Sequence, residues 1–251
     1  MLTALSRRHI LWTHIHAMKI ISPSASLVKP SLLLTICALV RTLDLTALAA
    51  DAPVKIDNDQ ARVLVVTSMP GAKSELHEHK MNRVMIYLEA GKMTLTDNAG
   101  QVETLQFKAN EVLWSTPTTR PHVSLNVSDH PVRIVEVELK SKPGGASAAK
   151  PSALDWVKVD PKRYKVELDN DQVRVVRARY GPYERGVLHE HPWNYTVAFL
   201  TDGKLKVTNP EGESKEATKS AGEVTWGGPT KHVEENLNNQ PLEVVVVEFK
   251  K

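Results

Sequence analysis

Seven histidines fall between residues 51 and 251, and six of them form two matching sets: His77, His79 and His122, then His189, His191 and His232. The seventh, His130, has no counterpart and reads as a surface residue. In each set the first two histidines are separated by a single residue. Side chains two apart on a strand share a face, so each pair presents its imidazoles side by side while Glu78 or Glu190 points away. Two adjacent imidazoles are half of a metal site. The third nitrogen has to come from a neighbouring strand, and His122 and His232, 45 and 43 residues further along, are placed to supply it. Neutral imidazole suits Zn, Cu, Fe and Ni. Three facial nitrogens on a six-coordinate ion leave positions for water, a substrate or O₂. The plainer alternative is a set of histidines that only hydrogen-bond inside a core.

The elements that position these residues come in duplicate. Asp57-Asn58-Asp59-Gln60-Ala61-Arg62-Val63 returns 112 residues later as Asp169-Asn170-Asp171-Gln172-Val173-Arg174-Val175, with six of seven residues identical. The same shift carries Leu76-His77-Glu78-His79 onto Leu188-His189-Glu190-His191, and Trp114 onto Trp226. After a two-residue deletion, a shift of 110 carries His122-Val123 onto His232-Val233 and Asn126 onto Asn236. The chain therefore divides into a unit at 54–140, a joint at 141–163 and a second unit at 164–250. The first part of the joint, 141–151, is small, Pro/Gly-bearing and unpatterned, as a linker is. Inside each unit the signal is short strands, Arg62 to Thr67, Val84 to Leu88, Lys92 to Thr96 and Val132 to Leu139, with turn residues between them. No segment keeps a helical period over three turns. The expectation is all-β, with each unit a small antiparallel barrel or jelly roll.

The first 49 residues read as a secretory signal: scattered basic residues, the apolar run Leu32 to Val40, and Ala47-Leu48-Ala49 before Ala50-Asp51. The apolar run is nine residues, too short for a bilayer that needs about 20. Arg41 and Asp44 after the run are unusual for such a signal. Its removal leaves a periplasmic or secreted domain with no membrane attachment. The only cysteine, Cys37, lies in this segment, so the remainder has no thiolate for metal ligation or nucleophilic catalysis. The leader also holds five Lys/Arg against one acid, which accounts for the formal charge of +3. Residues 51–251 are near neutral, and there is no basic patch to argue for nucleic acid. A P-loop, a dinucleotide fingerprint, a nucleophile elbow and an HExxH helix are all missing from the sequence.

The histidine pattern resembles the cupin superfamily. Gly71, His77, His79 and Gly91 meet that family's first motif, and His189, His191 and Gly203 meet it again, with the leading Gly displaced to Gly181 or Gly186. Pro117, His122 and Asn126 partly meet the second motif, with Ala109 where Gly is expected; Gly222, Pro229, His232 and Asn236 meet it better. Two such units resemble a bicupin, implying two tandem cupin-type antiparallel β-barrels. The family's ligating Glu falls at Arg83 or Val84 in the first unit and at Tyr195 or Thr196 in the second, where neither has a carboxylate. The resemblance is thus to the minority of cupins with three-histidine metal sites, which includes dioxygenases. A divalent transition metal, Fe, Ni, Mn or Zn, held without a carboxylate would keep its full +2 charge and favour an anionic, chelating substrate.

Near the motifs, Arg83 is a candidate clamp for a substrate carboxylate, with a solvated strand end as the alternative. Tyr195 is a candidate hydrogen-bond donor to substrate or O₂, with wall packing as its alternative. Trp114 and Trp226 at one repeat position point to packing. Asn126 and Asn236 point to turns or to bonds behind the preceding His, and Trp193 to the rim of the second cavity. The leading functional expectation is an exported, metal-binding bicupin acting on a small chelating organic molecule, with dioxygenase chemistry first. A non-enzymatic ligand-binding or sensing module and a metal-dependent isomerase are the alternatives. The partner is then a small-molecule substrate; pairing of sheet edges with a second copy in a homodimer stays open beside internal pairing of the two units.

Overall fold

A computed structural model describes residues 53–141 and 152–250; the proposed signal segment at 1–49 and most of the unpatterned part of the joint lie outside the described residues. The first half carries β1 (Val54–Asp57), β2 (Ala61–Ser68), β3 (His77–His79), β4 (Arg83–Tyr87), β5 (Gly91–Asp97), β6 (Val102–Phe107), β7 (Glu111–Ser115), β8 (Thr118–Asn126) and β9 (Val132–Leu139). After a one-turn helix, α1 (Trp156–Val159), the second half repeats the series as β10 (Tyr164–Asp169), β11 (Val173–Tyr180), β12 (His189–His191), β13 (Tyr195–Phe199), β14 (Gly203–Thr208), β15 (Ser214–Lys219), β16 (Val224–Gly227), β17 (Thr230–Asn236) and β18 (Leu242–Phe249). In each half a five-stranded sheet, β1-β2-β9-β4-β7 or β10-β11-β18-β13-β16, faces a four-stranded one, β3-β8-β5-β6 or β12-β17-β14-β15. The fold is all-β, two antiparallel barrels in tandem.

Strands β9 and β18 are buried almost throughout, charged Glu136, Glu138 and Glu248 included, and the structure gives the reason. Alternate side chains of β18 point opposite ways. Leu242, Val244 and Val246 enter the second barrel's own core, while Val245, Val247 and Phe249 enter a cluster shared with the first barrel. Strand β9 does the same, with Val132 and Ile134 inward and Val135, Val137 and Leu139 outward. The central strands of the five-stranded sheets are therefore buried on both faces, whereas the edge strands β1 and β10 stay largely exposed. Fifteen buried residues from both barrels make the shared cluster, and Trp114 and Trp226 pack against it. Burying each Val or Leu stabilises by roughly 1.5–3 kcal/mol, so the barrels depend on one another. Two hydrogen bonds close this interface at repeat-equivalent positions: Asn82 Nδ2 donates to Gln172 Oε1 (2.5 Å), and Asn194 Nδ2 to Gln60 Oε1 (2.7 Å). The halves thus meet about a pseudo-two-fold axis.

The described part of the joint, 152–163, packs on the second barrel. Asp155 caps α1, accepting from Lys158 N at 3.3 Å, and Trp156 is 1% exposed in the second barrel's core. Leu154 O accepts from Glu190 N (2.8 Å), so the segment runs beside β12. No periodicity marks it because one indole, rather than an apolar stripe, anchors it.

Candidate metal centres

In the second barrel, β12 and β17 are paired so that His189 lies directly opposite His232. His191 joins them from two residues along β12, and Glu234 from two residues along β17, each by the same strand alternation. One ligand atom from each of these four residues falls within 4.8 Å of all the others. His189 Nδ1 lies 2.9 Å from Val187 O and His191 Nδ1 lies 2.9 Å from Glu248 Oε1. A carbonyl and a carboxylate can only accept, so both Nδ1 atoms carry the proton and both Nε2 atoms present bare lone pairs. Those two Nε2 atoms face each other at 3.3 Å. Glu234 adds Oε2 at 3.4 Å from His189 Nε2 and Oε1 at 2.7 Å from His232 Nε2. The His232 contact is too poorly aligned for a hydrogen bond, so that buried Nε2 has no hydrogen-bond partner. A knot of acceptors aimed at one point is electrostatically costly unless a cation lies among them. The donor set, nitrogen plus one carboxylate oxygen, suits a divalent transition metal.

Burial reinforces this reading. His189 is fully buried, and desolvation holds its pKa below the usual 6.5 despite the pull of Glu234, which keeps it neutral and able to ligate. Behind His191 a chain of charges fixes the ring. Glu248, with no exposed surface, accepts from His191 Nδ1 and from Arg174 Nε (2.6 Å), and Arg174 Nη1 donates to Asp155 Oδ2 (2.6 Å). A carboxylate on the far nitrogen of a ligating histidine sets its tautomer and raises its basicity.

The first barrel assembles the same triad with a different surround. His77 lies opposite His122 across β3 and β8, and His77, His79 and His122 bring ligand atoms within 4.8 Å. Glu75 O accepts from His77 Nδ1 (2.8 Å) and Arg120 O from His122 Nδ1 (3.3 Å), again leaving Nε2 free. The residue matching Glu234 is Ser124, so no carboxylate enters from β8. Instead β9 supplies Glu136, 3.4 Å from His79 Nδ1. Burial first, and then Arg83, hold the His79 pKa down to about 3, and burial lowers His122 as well. His79, Glu136 and Glu138 also cluster, but Arg83 and Arg62 already supply the positive charge there, at 2.9 and 3.5 Å.

Arg83 is buried: Nη1 donates to Glu136 Oε1 (2.9 Å) and Nη2 to Ser115 Oγ (2.8 Å). Its guanidinium is thus not a solvated strand end; it braces Glu136 behind His79. Tyr195, its repeat partner, stacks on His191 with centroids 4.4 Å apart and lines the second cavity. Burial raises its hydroxyl to about 12, so the group stays a donor at neutral pH. A Cβ at Gly227 would lie 2.4 Å from Tyr195 Cζ, so the ring fits only because Gly stands where the first barrel has Ser115. Asn126 and Asn236 hold loops: their Nδ2 atoms donate to Ser68 O and His130 O, and to Gly181 O and Gln240 O. Trp193 is not part of the cavity wall; Arg174 sits 5.4 Å from its ring centre, and Trp156 takes the wall position. His130 is exposed as expected, held by Asp129 and Ala90 O.

The displaced motif glycine has a structural counterpart. Gly71 adopts φ +73°, and the residue at the equivalent place in the second unit is Tyr183, at φ +53°, not Gly181 or Gly186. A side chain in that region costs about 1–2 kcal/mol. The motif positions expected to hold Glu carry none, yet Glu234 brings a carboxylate to the second site from β17. Spacing could have found it, since Glu234 follows His232 at the interval that relates His189 to His191. Glu248, Asp155 and Trp156 carry no such local signal.

No family model matches the chain, and neither does any curated protein. Solved structures do. An oxalate decarboxylase from Lactobacillus farciminis, in complex with formate, aligns over 81% of this chain and 85% of its own, at 14% identity and TM-score 0.51. AerE from Microcystis aeruginosa aligns over 77% and 89%, at 13% identity and TM-score 0.50. A cupin domain from Bordetella pertussis covers 35% of this chain and 92% of its own, at 27% identity and TM-score 0.33. At 13–14% identity the likeness concerns the fold alone: two cupin-type barrels in tandem, which in this chain carry histidine-rich candidate metal sites.

Proposed function

We propose that this bicupin is an exported metalloprotein that works through its second barrel on a small chelating organic molecule, with dioxygenase chemistry as the reaction class. The observation that carries the reading is the convergence of His189, His191, His232 and Glu234, with the Nε2 atoms of His189 and His191 3.3 Å apart. The residues fit a divalent transition ion, Fe, Ni, Mn or Zn. Bound there, any of these ions would supply a Lewis acid for chelating oxygens, and the redox-active ones, not Zn, would also supply a redox partner for O₂. The chain's own residues do the rest. Glu234 lowers the net charge of a divalent site from +2 to +1, which relaxes the demand for an anionic substrate that three histidines alone would impose. Glu248 and Val187 O hold the ring protons away from the site, Trp156 and Tyr195 exclude water from one side, and the Tyr195 hydroxyl is available as a donor. Export rests on the leader pattern of residues 1–49 and the absence of cysteine beyond it.

The test is oxygen uptake by protein loaded separately with Fe, Ni, Mn or Zn and offered β-diketones, thiols and flavonols. Uptake with at least one pairing, lost in Glu234→Ala and kept in His122→Ala, is the expected result. Metal-loaded protein that consumes no oxygen with any of them would overturn the dioxygenase assignment in favour of a ligand-binding module.

A further inference from the structure

The two barrels share one repeat, yet their interiors differ at four neighbouring wall positions, while elsewhere Tyr180 stands where the first barrel has Ser68. Where the first barrel has Met85, Leu105, Phe107 and Leu113, the second has Val197, Ala217, Lys219 and Thr225. In the first barrel these larger side chains pack together, and Phe107 stacks on Tyr87 with centroids 3.9 Å apart. In the second the same space is a cavity of about 290 Å³. His191, His232 and Glu234 stand at one part of its lining, and Trp156, Val197, Phe199, Leu205, Val244 and Val246 supply an apolar wall. Lys219, at the position of the plugging Phe107, is drawn aside to Glu223. The first barrel's depression, about 430 Å³, lies instead around Thr118, Arg120 and His122 and is largely polar.

From this asymmetry we infer that the second barrel's ligand has an oxygen-donor head and an apolar body about the size of one aromatic ring with a short substituent, bound head towards Glu234. The inference rests on the metal reading for the head alone; the body is read from the wall. A cavity of about 150 Å³ lined by apolar side chains holds benzene, and this one is about twice that size. A small di-acid would leave the apolar wall unfilled, and of the two lysines in the lining, Lys215 and Lys219, the second is already neutralised by Glu223. An apolar body gains affinity in proportion to the area it buries.

Two hydroxamates with one chelating head test this by calorimetry on Zn-loaded protein. Benzohydroxamate is expected to bind at least about tenfold more tightly than acetohydroxamate. Restoring the first barrel's side chains, as Ala217→Leu with Thr225→Leu, is expected to erase that advantage while metal content and acetohydroxamate affinity stay as in the parent. Ala217→Leu alone serves if the double variant fails to fold. On metal-free protein, toluene is expected to raise the Tm of the parent and not of the variant. Equal hydroxamate affinities with metal bound would overturn the inference and leave the metal site standing. Toluene stabilisation without any metal uptake would uphold the cavity and remove the metal reading, and toluene without effect on the parent would overturn the cavity assignment.

Discussion

Glu248 is the residue through which the metal reading can be tested without touching a ligand. It has no exposed surface and two partners, His191 Nδ1 at 2.9 Å and Arg174 Nε at 2.6 Å. Glu248→Gln keeps the shape and one acceptor oxygen but removes the charge. Breaking a buried pair costs about 3–5 kcal/mol when the surviving charge is stranded. Arg174 is not stranded, because Asp155 Oδ2 holds Nη1 at 2.6 Å, so the cost falls at or below about 3 kcal/mol. For a domain of this size each kcal/mol moves Tm by about 2–4 °C, which gives a drop of up to about 6–12 °C for the metal-free variant. Losing the carboxylate behind a ligating histidine weakens metal affinity by about 10- to 100-fold, and the retained acceptor places this variant near tenfold. Calorimetry of the metal-free proteins reads the first quantity, and competition with a chelator reads the second. A variant that loses Tm but binds metal as tightly as the parent would show that Glu248 only supports packing and does not set the His191 tautomer.

Two further outcomes rest on the geometry. Gly227→Ala places a Cβ against the Tyr195 ring at 2.4 Å, so it should lower stability by about 1–3 kcal/mol, and Tyr195→Ala in the same chain should recover most of the loss; a strictly additive pair would refute the steric account. His79, His122 and His189 have folded pKa values below the 6.5 of the unfolded chain, by burial first in each case. The unfolded state therefore binds more protons as pH falls below 6.5, and the stability present above that pH is lost on acidification. Metal-free protein should show a lower Tm at pH 5 than at pH 7, and an unchanged or higher Tm at pH 5 would contradict neutral, buried imidazoles.

Much of this was legible in the residues. The 112-residue repeat and the alternation of short apolar runs carry the two-barrel architecture, and the strands at 61–68, 83–87, 91–97 and 132–139 fall within a residue or two of where alternation places them. The convergence of each His triad follows from strand alternation plus one cross-strand pair. What the sequence does not display are the contributions made across space. Strand β18 reads as a uniform run because both faces are buried, so nothing local says that Glu248 faces His191. Trp156 enters the second core from a segment without pattern. Arg83 looks like an exposed strand-end cation until Glu136, 53 residues away, is placed against it. Glu234 is the exception, visible in the interval from His232 but masked by the search for a carboxylate at the motif's own position.

Metal stoichiometry by elemental analysis tests the central claim most directly, using protein expressed in medium supplemented with Fe, Ni, Mn and Zn. The parent should carry at least about one transition ion per chain. His232→Ala should lose the ion of the second barrel, and His122→Ala should keep it. Less than about 0.1 ion per chain in the parent, or equal loss from both variants, would contradict an independent metal centre built from His189, His191, His232 and Glu234.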